Sequence, residues 1–146
     1  MTAIYIIAAL VVVLFLFGAY RMMGSGATTE EDPRAVLVAV LETATEAATA
    51  LDGTPGSGDE ASAPHAIRRR LDGCAQALER IAGMPVEPAL DDARAALELS
   101  VDELIWSARL AEAPRYVIDD ALRDAGTALR SRGSAHLARA RSQLDG

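Results

Sequence analysis

The chain opens on one unbroken apolar run and then changes to apolar positions spaced four and three residues apart. From Ala3 to Tyr20 it reads AIYIIAALVVVLFLFGAY, and no charged side chain occurs among the first 20 residues. A helix of about 20 residues is about 30 Å long, the thickness of a bilayer's hydrocarbon core. The pattern predicts a single transmembrane helix over residues 3–23. Tyr5 and Tyr20 would lie at headgroup level and Arg21 would close the segment. The many β-branched residues do not oppose this, because in lipid only a helix satisfies the backbone of one isolated span. A cleaved signal peptide is the alternative, since Ser25-Gly26-Ala27 supplies small residues at a usable spacing. Cleavage of residues 1–27 would leave a secreted helical domain. Two features favour the anchor: no basic residue precedes the run, and the run exceeds the usual signal-peptide length of about 7 to 15.

Residues 24–32 form a Gly/Ser/Thr-containing linker, and from residue 33 the helical spacing begins. Every proline falls between periodic segments, which divides residues 33–146 into four helices at about 33–51, 63–82, 87–113 and 115–144. Asp32 is placed to cap the first and Ser62 the second. The first carries Leu37, Leu41, Ala44, Ala48 and Leu51, and the second Ile67, Leu71, Cys74, Leu78 and Ile81. The third carries Leu90, Ala93, Leu97, Val101, Leu104, Ala108 and Ala111. In the fourth, Ile118, Leu122, Ala125 and Leu129 are followed out of step by Leu137, Ala140 and Leu144, so a kink or fray is expected at Gly133. Residues 53–64, GTPGSGDEASAP, are polar enough for a mobile loop. No strand-like alternation occurs. Four one-sided helices can bury their seams only against each other, so the expected fold is all-α: an N-terminal transmembrane helix, then an antiparallel up-and-down four-helix bundle, a coiled-coil-like packing.

Charge narrows the partners. With 14 basic and 21 acidic residues the net charge is −7, and every basic residue is arginine. An acidic domain without a basic stripe is a poor phosphate ligand, so nucleic acid is not an expected partner. Only Arg21 and Arg34 flank the apolar run, both on its C-terminal side. This biases the bundle toward the cytoplasm, as does the lone Cys74, which suits a reducing compartment. A span followed by a bundle of long helices resembles the layout of LemA-type bacterial membrane proteins. That family's Asn-, Pro- and Trp-bearing segment after the membrane helix has no counterpart here, and the resemblance assigns no residue a role.

Catalytic chemistry finds no support in the residues. Asp91-Asp92, Asp102-Glu103 and Asp119-Asp120 are adjacent pairs whose side chains diverge by about 100°, so neither member of a pair helps the other hold an ion. Di-iron bundles use Glu-x-x-His motifs, but Ser62 and Gly133 stand three residues before His65 and His136. No phosphate loop, dinucleotide motif or nucleophile–base set is present, and no cofactor or metal is expected. Arg68-Arg69-Arg70 reads as a salt-bridged surface; contact of these three and Arg21 with anionic lipid headgroups is the alternative.

The third helix differs from its neighbours. At about 100° per residue, Leu99, Trp106 and Leu110 gather about 200° from the Leu97–Leu104 seam. Such a helix is either central and covered on both sides, or it presents an apolar ridge to a partner protein or a second copy. Trp106, the only tryptophan, is the residue type favoured as an interface anchor. The expected function is a non-catalytic adaptor, scaffold or accessory subunit of a membrane-associated assembly. Carriage of a small apolar ligand in the bundle core is the competing function.

Overall fold

Proline and aspartate set where the helices begin. In the computed structural model, which describes residues 32–53, 63–113 and 119–146, the helices are α1 (Pro33–Asp52), α2 (Pro64–Ile81), α3 (Pro88–Glu112) and α4 (Asp120–Asp145). Three of the four start on a proline, whose fixed φ and missing N–H suit the first helical position. Asp32 accepts from the Arg34 amide at 3.0 Å, and Asp119 accepts from the Leu122 amide at 2.9 Å. These carboxylates satisfy donors that the first helical turn leaves open. The residue before α2 is Ala63, which has no side-chain cap to give. Because Asp119 caps α4, that helix begins at Asp120 rather than near residue 115. The segment 3–23 with Arg21, linker residues 24–31, Ser62, Ile118 and most of the 53–64 loop lie outside the described residues. Among the described residues there are no strands, and no helix is long and apolar enough to cross a membrane.

Neighbouring helices run antiparallel. Arg34 near the start of α1 donates to the Leu144 carbonyl at the end of α4 (2.7 Å), while Asp52 at the other end of α1 pairs with Arg130 (3.2 Å). Arg68 at the start of α2 pairs with Glu112 at the end of α3. Arg94, early in α3, donates to the Ala82 carbonyl just past α2. α1 and α3 lie across the short diagonal of the bundle, each packing on the other three helices, and α2 and α4 stay apart. The core is one contiguous cluster. α1 gives Leu37, Val40, Leu41 and Ala44, and all five predicted seam residues of α2, Ile67 to Ile81, are buried.

The predicted seam of α4 needs two corrections. The helix runs without interruption through Gly133, so the slip between Leu129 and Leu137 does not fray it. Its buried face is instead Gly126, Gly133, Leu137, Ala140 and Leu144, while Leu122 and Ala125 are exposed and Leu129 is half-buried. The reason is steric. A Cβ added at Gly133 would stand 3.0 Å from Leu104 Cγ and 3.4 Å from the Ser100 carbonyl oxygen. α3 and α4 approach so closely there that an added Cβ would force Leu104 to give way, and the glycine is a contact point rather than a break.

Candidate interaction surface

α3 is held in place by its inner half. Leu97 and Leu104 are fully buried, with Ala93, Val101 and Ala108 beside them. On the side facing α4, Ser100 Oγ donates to the Gly133 carbonyl at 2.9 Å and Ser107 Oγ to the Gly126 carbonyl at 3.2 Å. Both serines are buried, and each hydroxyl finds an acceptor, as burial requires. Seven residues separate the two serines and seven separate the two glycines, so the pairs match in antiparallel register. Sequence reasoning missed this seam because it counted only apolar positions. The matched seven-residue spacing of small residues in consecutive helices was the available signal.

Rotation about α3 then decides the fate of its second stripe. Leu99 and Trp106 are 53 % and 56 % exposed, the two most exposed large hydrophobic side chains among the described residues. None of the other three described helices covers them. Leu110, the third member of the predicted stripe, turns toward α4: it is half-buried, and its Cδ1 lies 3.7 Å from where a Cβ on Gly126 would be. The structure therefore brings Leu99 and Trp106 into one outward ridge and sets Leu110 at its edge. The Arg109 guanidinium carbon sits 4.7 Å from the Trp106 ring centroid, a cation–π distance.

Polar side chains border the ridge. Glu103, half-buried between α3 and α4, takes an ion pair from Arg132 Nε at 2.9 Å and faces His136 Nε2 at 3.9 Å. On the opposite side Glu98 and Asp102 are exposed at the edge of a groove between α2 and α3. An apolar centre with a charged border is the general plan of a protein interface.

The basic run on α2 divides by environment. Arg68 pairs with Glu112 at 2.8 Å and Asp72 at 3.6 Å, clasping α2 to α3. The hydrogen bond that Arg68 donates to Glu112, then the charge of Glu112, holds the Arg68 guanidinium pKa above its ordinary value. Arg69 and Arg70 are exposed, and Arg70 borders a shallow groove of about 190 Å³ between α1 and α2. Cys74 faces the core, and burial pushes its thiol pKa up, the opposite of what a reactive thiolate needs. Among the described residues no group of three or more His, Cys, Asp or Glu is arranged to hold a metal ion. Comparison of the chain with family models, with curated proteins and with solved structures gave no match.

Proposed function

We propose that the protein is a non-catalytic, single-pass membrane protein whose helical bundle serves as an adaptor, scaffold or accessory subunit of a membrane-associated assembly. Residues 3–23 are its anchor and the bundle is cytoplasmic. Leu99 and Trp106 are the anchor residues for a protein partner, with Leu110 at the margin. The observation that carries the reading is the exposure of a lone tryptophan and a leucine two turns apart on one face of the described helix that is otherwise the most buried. Large apolar side chains left in water on a bundle with a filled core are a cost to solubility that an interface removes.

The test is co-purification from detergent-solubilised native membranes, with Trp106→Ala as the comparison. Wild type should retain a partner in fixed stoichiometry that the variant loses. The variant should unfold within about 1 kcal/mol of wild type, because truncating an exposed side chain leaves no cavity. An unchanged set of partners would remove the ridge from the function. A stability loss of about 3–5 kcal/mol would mean that Trp106 belongs to the core.

A further inference from the structure

The groove between α2 and α3 joins an apolar floor to an acidic border. Ala75 and Leu78 of α2 and Val101 of α3 form the floor of a depression of about 310 Å³. Glu79 of α2 and Glu98 and Asp102 of α3 line its edge. The volume is at the low end of the about 300–1,000 Å³ typical of ligand pockets, and the groove opens along the surface instead of enclosing space. That form suits side chains projecting from a docked segment. Its charge is strongly one-sided. Arg94 lies 3.7 Å from Glu98 but also pairs with Asp91 and donates to the Ala82 carbonyl. Neither Glu79 nor Asp102 enters an ion pair among the described residues. One helical turn beyond Asp102, Trp106 stands just outside the acidic edge, about 140° around α3 from Val101.

We infer that this groove receives a cationic amphipathic helix of a partner protein. Apolar side chains on one face of that helix seat over Leu78 and Val101, and its flank beside Asp102 reaches the near edge of Trp106. Its lysines or arginines meet Glu79, Glu98 and Asp102. Helix-in-groove docking supplies the apolar contacts, and complementary charge sets register and excludes other partners. A second copy fits less well, because the carboxylates that border the ridge would be brought close to those of the other copy. An anionic lipid surface is opposed by the same charge. The inference rests on the adaptor reading and adds the partner's chemistry to it.

The experiment uses the full chain in non-ionic detergent, with Trp106 fluorescence and calorimetry as readouts. The probe is a synthetic helical peptide with leucine along one face and lysine on both flanks. A second peptide replaces each lysine by glutamate. The lysine peptide should shift Trp106 emission to the blue and bind more weakly as salt is raised. The triple variant Glu79→Gln, Glu98→Gln, Asp102→Asn should weaken it at least tenfold. A charge-matched control, Glu42→Gln, Glu46→Gln, Asp124→Asn, removes three exposed carboxylates elsewhere and should stay within twofold of wild type.

Equal binding of the glutamate peptide, no binding of the lysine peptide, or a triple variant no weaker than the control would overturn the cationic assignment. So would sedimentation of wild type as a dimer that Trp106→Ala dissociates, which would make a second copy the occupant. In the first three cases a partner lost from native membranes on Trp106→Ala would still sustain the adaptor reading, so the two failures are separable.

Discussion

The two halves of the bundle close by different means. Between α1 and α2 the seam is made of branched apolar side chains: Leu37, Val40 and Leu41 on one helix, Ile67, Leu71 and Leu78 on the other. Between α3 and α4 the two helices meet through Ser100 and Ser107 against Gly126 and Gly133, and the hydroxyls reach backbone carbonyls directly. The first seam is stabilised by area removed from water and tolerates some change of shape. The second is stabilised by close helix approach and tolerates least at Gly133, where an added Cβ would press on Leu104. The contrast also bears on function. A helix that meets one neighbour through small residues keeps its large ones for other directions, and on α3 two of those, Leu99 and Trp106, point outward.

The largest expected effect tests the apolar cores of both halves. Leu71→Ala and Leu104→Ala each remove a side chain that is 0 % exposed, and each should cost about 2–5 kcal/mol in urea unfolding. If Leu104→Ala cost less than about 0.5 kcal/mol, α3 would not be packed as described. Leu104 should be the less forgiving of the two, because Gly133 of α4 presses directly against it.

A smaller and sharper test separates two glycines on one helix. At Gly126 a Cβ would meet Leu110 at 3.7 Å, an ordinary contact, so Gly126→Ala should gain up to about 1 kcal/mol from helix propensity alone. At Gly133 the same atom would stand 3.0 Å from Leu104 Cγ, and Leu104 is fully buried, so it can give way only by disturbing its neighbours in the core. Gly133→Ala should therefore lose about 1–2 kcal/mol despite the same propensity gain, since overpacking costs about 1–3 kcal/mol. Thermal unfolding of the pair decides the matter. Shifts of the same sign would show that the α3–α4 seam is no tighter at Gly133 than at Gly126.

The smallest effect belongs to the α1–α2 half. Burial raises the Cys74 thiol pKa, so the folded state disfavours the thiolate that the unfolded chain forms readily. The associated stability is fully present below the unfolded thiol pKa of about 8.5 and declines as pH rises from there toward the folded value. Wild type should lose stability relative to Cys74→Ala as pH rises above about 8.5, because the variant has no thiol to titrate. Parallel pH profiles of the two proteins would place Cys74 in contact with water.

How much was legible beforehand follows the same division. The α2 seam, Ile67 to Ile81, could be read residue by residue, because large apolar side chains at four-three spacing have one energetically sensible destination. The Asp32 cap and the start of the first helix at Pro33 were equally local. The first half of α4 was misread for the opposite reason. Leu122, Ala125 and Leu129 look like a seam in isolation, but hydropathy carries no information about how near a neighbouring backbone will come.

Four helices, their antiparallel order and an unusual second stripe on the third were therefore determined by the sequence alone, since periodicity and helix starts are properties of a dozen consecutive residues. The alignment of Ser100 with Gly133 and of Ser107 with Gly126, the rotation that exposes Trp106 while turning Leu110 inward, and the meeting of Glu79 with Glu98 and Asp102 were decided only by tertiary structure. Each of these depends on the distance and rotation between two helices. That geometry is set by the sum of packing contacts along both, which no single segment contains.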